Sequence, residues 1–162
     1  MDSGRGIVKG AAKATEAELS QHFCHCHLVH YYETDAMGVA HHSNYLRFFE
    51  ETRVAWLRAR DLGAYHAPQK DFVLAVLETE VRHHRPAFLL DELRIYLELK
   101  FERLKFHFRY VIFSDKYPNE PVAWGRSLHM GLDQHFKVQR PPVELIEKLE
   151  REKWTETWPW SL

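Results

Sequence analysis

From Leu93 onward the chain swaps large apolar and polar side chains at every residue through two successive stretches. Leu93, Ile95, Leu97, Leu99 and Phe101 alternate with Arg94, Tyr96, Glu98, Lys100 and Glu102. Leu104, Phe106, Phe108, Tyr110 and Ile112 then alternate with Lys105, His107, Arg109, Val111 and Phe113. Only a strand carries a period of two, and a helix with this pattern would be apolar on every side. The parity changes at Glu102-Arg103, which reads as a tight hairpin. Two such strands force an antiparallel sheet, and its continuous apolar face must be covered.

The segment that can cover it lies upstream. Tyr45, Phe48, Phe49, Thr52, Trp56 and Ala59 recur at helical spacing, predicting a helix over 43–62 with Ser43 as N-cap and Gly63 as C′ residue. Aromatics of that size predict a central helix wrapped by other elements. Residues 22–32 favour a strand. Phe72–Val81 is apolar enough for a buried one, and 122–132 reads as the last, with Gly125 and Gly131 allowing close packing. Tyr117 to Pro121 is a turn by its prolines. Pro141-Pro142 opens a short helix ending near Lys153. The fold class is α+β, an antiparallel sheet curled around one helix. Three segments follow: an arm over 1–20 too poor in apolar groups to pack firmly, a domain over 21–140, and a short helix with a Trp-rich tail over 141–162. The sheet's other face, with Tyr96, Val111 and Phe113, is apolar enough to be covered by a second copy.

The 162 residues carry 22 Lys+Arg against 23 Asp+Glu. That balance argues against nucleic-acid binding, which needs a basic excess. Cys24 and Cys26 are too close for an unstrained disulfide and fit a reducing, cytoplasmic setting. The N-terminus lacks the apolar core of a signal peptide, and the longest apolar run, 72–77, is far short of a membrane span.

Chemistry concentrates in residues 29–45, VHYYETDAMGVAHHSNY. An aspartate in a turn is usually a turn former. Asp35, however, adjoins Ala36, Met37 and Val39 just before the helix, whose first N–H groups are unpaired and partly positive. A carboxylate beside such donors, with apolar walls, can also serve acyl hydrolysis. The carboxylate attacks or activates water, and the N–H groups hold the oxyanion.

The run Y-x-E-T-D-x-M-G-V-x-H-H-x-x-Y, followed by F-x-E-x-x-R, resembles the hotdog-fold acyl-CoA thioesterases of the 4-hydroxybenzoyl-CoA thioesterase and YbgC type. The segment Glu80 to Ala87, then Asp91-Glu92-Leu93, is similar to the same family, as is the element order from about 25 to 138. The resemblance implies a hotdog fold and hydrolysis of acyl-CoA to a free acid and coenzyme A, with no cofactor or metal. Asp35 would be the catalytic general base or nucleophile. His42 would polarise the thioester carbonyl through its backbone N–H, and Tyr31 matches a tyrosine of the YbgC-like branch. Gly38, Val39 and Tyr45 would contact substrate. The resemblance further implies a homodimer or homotetramer in which the acid and helix N-terminus serving one site come from different subunits. Three positions depart: Glu33 for the usual Asp, Ala40 for a β-branched residue, and His83 for Tyr.

Twelve histidines raise the question of a metal, but His25 and His27 face away from Cys24 and Cys26 on a strand, so neither face holds four ligands. Glu50 and Arg53 read as an i,i+3 ion pair bordering the apolar stripe, or Glu50 reaches a neighbouring subunit's acyl pocket. Arg82, Arg85 and Lys100 could meet coenzyme A phosphates or be solvated surface. Alternatives are a thioesterase acting on acyl carrier protein, and a non-catalytic acyl-CoA- or lipid-binding subunit, which would need the cavity but not the acid.

Overall fold

The computed structural model describes residues 15–62, 72–156 and 158–160. Their order is β1 (Phe23–Leu28), α1 (Asn44–Ala59), β2 (Val73–His83), β3 (Glu92–Glu102), β4 (Lys105–Ser114), β5 (Ala123–Leu132) and α2 (Val143–Leu149). Short 3-10 turns occupy Glu16–Leu19 and Tyr31–Glu33. The five strands form one sheet in the order β1-β3-β4-β5-β2, every pair antiparallel. The α+β expectation is met.

The strict alternation of β3 and β4 does what it demands. Leu93, Ile95, Leu97, Leu99, Phe106, Phe108, Tyr110 and Ile112 are buried on the inner face. Against them α1 buries Tyr45, Phe48, Phe49, Thr52, Trp56 and Leu57. Phe49 stacks on Tyr110 at 4.1 Å between centroids. Gly125 lets α1 come this close, because a Cβ there would collide with the Phe49 ring and the Glu80 carbonyl.

Several local expectations need correction. Ala59 is exposed, and Leu57 takes its place in the core beside Trp56. Ser43 has helical dihedrals and makes no side-chain cap bond; its hydroxyl lies 2.8 Å from His41 Nδ1 instead. The left-handed C′ residue is Asp61 (φ 61°), whose N–H reaches Arg58 O at 3.1 Å while Leu62 N–H reaches Leu57 O at 2.8 Å. That pair of bonds is a Schellman ending. Gly63 lies outside the described residues. β1 stops at Leu28, and Tyr31–Glu33 winds into a 3-10 turn. The hairpin loop is Arg103-Leu104, one residue later than expected, closing on Glu102 and Lys105. α2 ends at Leu149 rather than near Lys153.

β2 is not buried. It is an edge strand with a register shift between Val76 and Glu78, and it leaves Val76 and Leu77 about half exposed. Leu74 and Val81 pack against the core, whereas Val76 and Leu77 have little cover among the described residues.

The outer face is covered. Val111 and Phe113 pack with Leu19, Trp158 and Trp160 in a second cluster, beside Tyr96 and Trp124. The chain's own ends supply this cover, where a second copy was expected. Of the arm, residues 15–20 are seen, and Glu16 accepts from Arg94 at 2.9 Å and from Tyr96 at 2.8 Å. Residues 1–14 lie outside the described residues. Among the described residues no helix is long and apolar enough to cross a membrane.

Candidate active site

The loop between β1 and α1 is held by one buried carboxylate. Glu33 accepts the His30 N–H at 2.8 Å and His27 Nε2–H at 2.9 Å. Its carbonyl accepts the His41 N–H at 2.8 Å and the Asn44 side-chain amide at 2.8 Å. Glu33 and Asn44 are both buried. They fix the start of α1 relative to the turn, a scaffolding role not read from the sequence. The signal was there: a charged residue in a loop between two buried elements has to be paired.

The next residues make a tight turn. Gly38 N–H bonds Asp35 O at 2.9 Å, and Asp35 N–H bonds Val39 O at 2.9 Å. Gly38 closes the turn at φ +74°, a region L side chains avoid. Asp35 Oδ1 accepts the Met37 N–H at 2.8 Å. One carboxylate oxygen is thus the turn former that aspartate usually is, and Oδ2 remains for other work. Ala40 N–H then ties the loop to Ala87 O at 2.7 Å.

A hollow of about 320 Å3 opens beside this turn. Asp35, Val39, His42 and Tyr45 line one side, and His83, His84 and Arg85 the other. Asp35 and His42 both line this hollow within one chain. The His42 N–H makes no hydrogen bond among the described residues, so it remains a donor at the head of α1. Tyr45 is a buried wall, meeting the His83 ring edge-on at 4.6 Å. Burial pushes its phenol up to about 12. Burial, then the nearby His42, holds His83 below the usual imidazole range.

Tyr31 is not in the hollow; it is 80% exposed beyond the loop. Gly38 shapes the turn without lining the hollow. Of the three basic candidates, only Arg85 lines it, and its guanidinium pairs with Glu120 at 2.6 Å. Arg82 lies 3.7 Å from Glu80, and Lys100 pairs with Glu102 on the outer face. Arg53 does not pair with Glu50 among the described residues; it donates to the Tyr110 hydroxyl at 3.0 Å. The hollow gains a histidine pair from the end of β2, whose importance the sequence marked only as the departure at His83.

Comparison with known proteins decides the lineage. Residues 29–150 match the family described as the thioesterase-like superfamily. The chain belongs to that superfamily. It is 30% identical to a crystallised hypothetical protein of Aquifex aeolicus, with a TM-score of 0.72, over 78% of this chain and 98% of that one. It is 32% identical over 71 residues to the acyl-CoA thioester hydrolase YbgC of Escherichia coli, covering 44% of this chain and 53% of that one. A 1,4-dihydroxy-2-naphthoyl-CoA thioesterase of Synechocystis shares the fold at TM-score 0.71 and 20% identity, over 80% and 96% of the two chains. The hotdog fold is therefore established, and thioester hydrolysis is the superfamily's chemistry.

Proposed function

We propose that this protein hydrolyses acyl-CoA thioesters at the hollow beside Asp35, releasing a carboxylic acid and coenzyme A. The observation that carries this is the convergence of Asp35 and the head of α1 on one hollow. A thioester carbonyl placed there has its oxygen toward the His42 N–H, where the partial positive charge of the helix terminus stabilises the developing oxyanion. Asp35 takes the proton of an attacking water, or attacks the carbonyl itself. The thiolate of coenzyme A is a good leaving group, so no strong general acid is required. YbgC and the naphthoyl-CoA hydrolases, by their names, act on coenzyme A thioesters, which supports the choice of carrier.

Assembly is part of this reading. His42, His83, His84 and Arg85 are exposed in the single chain, and Met37 beside them is 78% exposed. The open edge of β2 carries Val76 and Leu77, with backbone groups that no strand among the described residues pairs. Two copies pairing antiparallel through β2 would cover both features. The outer face, already filled by Trp158 and Trp160, supports a dimer as the functional unit.

The test is Asp35→Asn. The amide oxygen can still accept the Met37 N–H, so the turn and fold persist. Turnover of an acyl-CoA panel is expected to fall by roughly 10²- to 10⁴-fold. Near wild-type turnover with an unchanged circular-dichroism spectrum would refute the assignment.

A further inference from the structure

α1 and the inner face of the sheet leave a gap between them. The cavity holds about 200 Å3, with apolar walls from Leu74, Val76 and Phe106, the Trp56 indole, and a polar corner of Glu50, Arg53 and His129. That volume suits one aromatic ring with a small substituent, since a cavity of roughly 150 Å3 holds benzene.

The polar corner has a fixed direction. Arg53 can only donate, and it donates to the Tyr110 oxygen at 3.0 Å. The Tyr110 O–H must then go to its other neighbour, Ser127 Oγ, at 3.0 Å. Ser127 in turn gives its proton to His129 Nε2 at 2.8 Å. A neutral imidazole accepting at Nε2 carries its hydrogen on Nδ1. His129 is 1% exposed, and its Nδ1 has no partner among the described residues. Burial, with Arg53 adding to it, pushes the ring down to about 3, so it is neutral at pH 7. The result is a buried N–H donor, on a residue lining the cavity, with no acceptor bonded to it among the described residues. Buried donors are rarely left so.

The cavity and the Asp35 hollow sit at opposite ends of β2. Leu74 and Val76 wall the first, and His83 walls the second. Along one strand they are roughly 20–30 Å apart at about 3.3 Å per residue. Antiparallel pairing of two β2 edges lays the start of one strand against the end of the other. Such a pairing would bring the hollow of one copy beside the cavity of its mate.

We infer that this cavity receives the distal end of the acyl group across the seam between two copies, and that the His129 Nδ1–H selects acyl groups bearing an oxygen acceptor there. This rests on the thioesterase reading above. The acceptor is a carbonyl, ether or hydroxyl oxygen on a compact, largely apolar group.

The test compares 4-methoxybenzoyl-CoA with 4-ethylbenzoyl-CoA, which match in shape and differ by an oxygen for a methylene. Each is assayed with wild type and with His129→Phe, so that the electronic difference between the esters cancels. The wild-type ratio of kcat/KM is expected to favour the methoxy ester roughly 3- to 10-fold more than the variant ratio does, the worth of one hydrogen bond. Should His129→Phe not fold, the wild type answers by ¹⁵N NMR with the matched non-hydrolysable thioethers. The His129 Nδ1–H resonance shifts with the methoxy analogue and stays with the ethyl one. Equal ratios, or equal shifts, overturn the inference and leave the thioesterase reading intact. Failure of the wild type to hydrolyse these or any other acyl-CoA overturns both.

Discussion

Glu98 accepts the backbone N–H of Thr155 at 2.9 Å, 57 residues further along, from a position on the sheet where its side chain is fully buried. The same carboxylate receives His22 Nε2–H at 2.8 Å and lies 3.6 Å from Arg109. It therefore fastens the entry to β1 and the Trp-rich tail to the same spot. Arg109 sits 3.7 Å above the Trp154 ring, extending the clasp along the tail. Glu98→Ala leaves several of these donors without acceptors at once. A loss of about 2–4 kcal/mol is expected, together with a red shift of tryptophan emission as Trp158 and Trp160 leave the face. Unchanged emission and melting temperature would show that the aromatic contacts alone hold the tail.

The β2 edge carries the assembly prediction. Leu77→Lys places a charge where the register shift already loosens the strand. Within a single chain Leu77 is about half exposed, so the fold should lose little. Sedimentation should show the dimer weakened, with turnover falling in parallel and recovering at higher protein concentration. A stable, fully active monomer would contradict a site shared between copies.

Period-two patterning made the inner faces of β3 and β4 legible, and helical spacing did the same for α1 from Tyr45 to Trp56, missing only that Leu57 rather than Ala59 continues the stripe. The turn at Asp35 and the proximity of His42 could be read because both are local, within one short loop. What could not be read is what depends on distant pairing. β2 looked buried because its composition is apolar, yet sheet order places it at an edge. Glu98 looked like an ordinary outward residue of an alternating strand until the tail folded over it. His129 looked like one more histidine in a strand; only Ser127, two residues back on β5, and Tyr110 on the neighbouring β4 give its ring a direction.

The β3–β4 loop is strained. Arg103 and Leu104 adopt φ of 50° and 65°, the arrangement of a primed hairpin turn, which favours Asn-Gly over these side chains. Leu104 is also partly exposed, so it contributes little packing. Leu104→Gly is expected to stabilise the protein by about 0.5–1 kcal/mol by relieving the left-handed conformation, with glycine's greater entropy in the unfolded chain offsetting part of the gain. Denaturant unfolding measures it, and a destabilised variant would indicate that Leu104 packs in the assembled protein.

Stability should fall on mild acidification, and His129 gives the reason. Its folded-state value is depressed from 6.5 to about 3, so between those limits the unfolded chain binds a proton that the native one refuses. Where the unfolded state binds more protons, stability rises with pH. The contribution is therefore complete above about 6.5 and is lost as pH falls toward 3, by up to about 1.4 kcal/mol for each unit. His25, His83 and His107 are depressed in the same direction, chiefly by burial, and add to the slope. Denaturant midpoints measured from pH 7.5 to 4.5 should decline steadily in the wild type. In His129→Phe, which has no proton to refuse, the decline should be shallower. Parallel slopes for the two proteins would place the acid sensitivity elsewhere and show that the imidazole at 129 gains its proton in the native state.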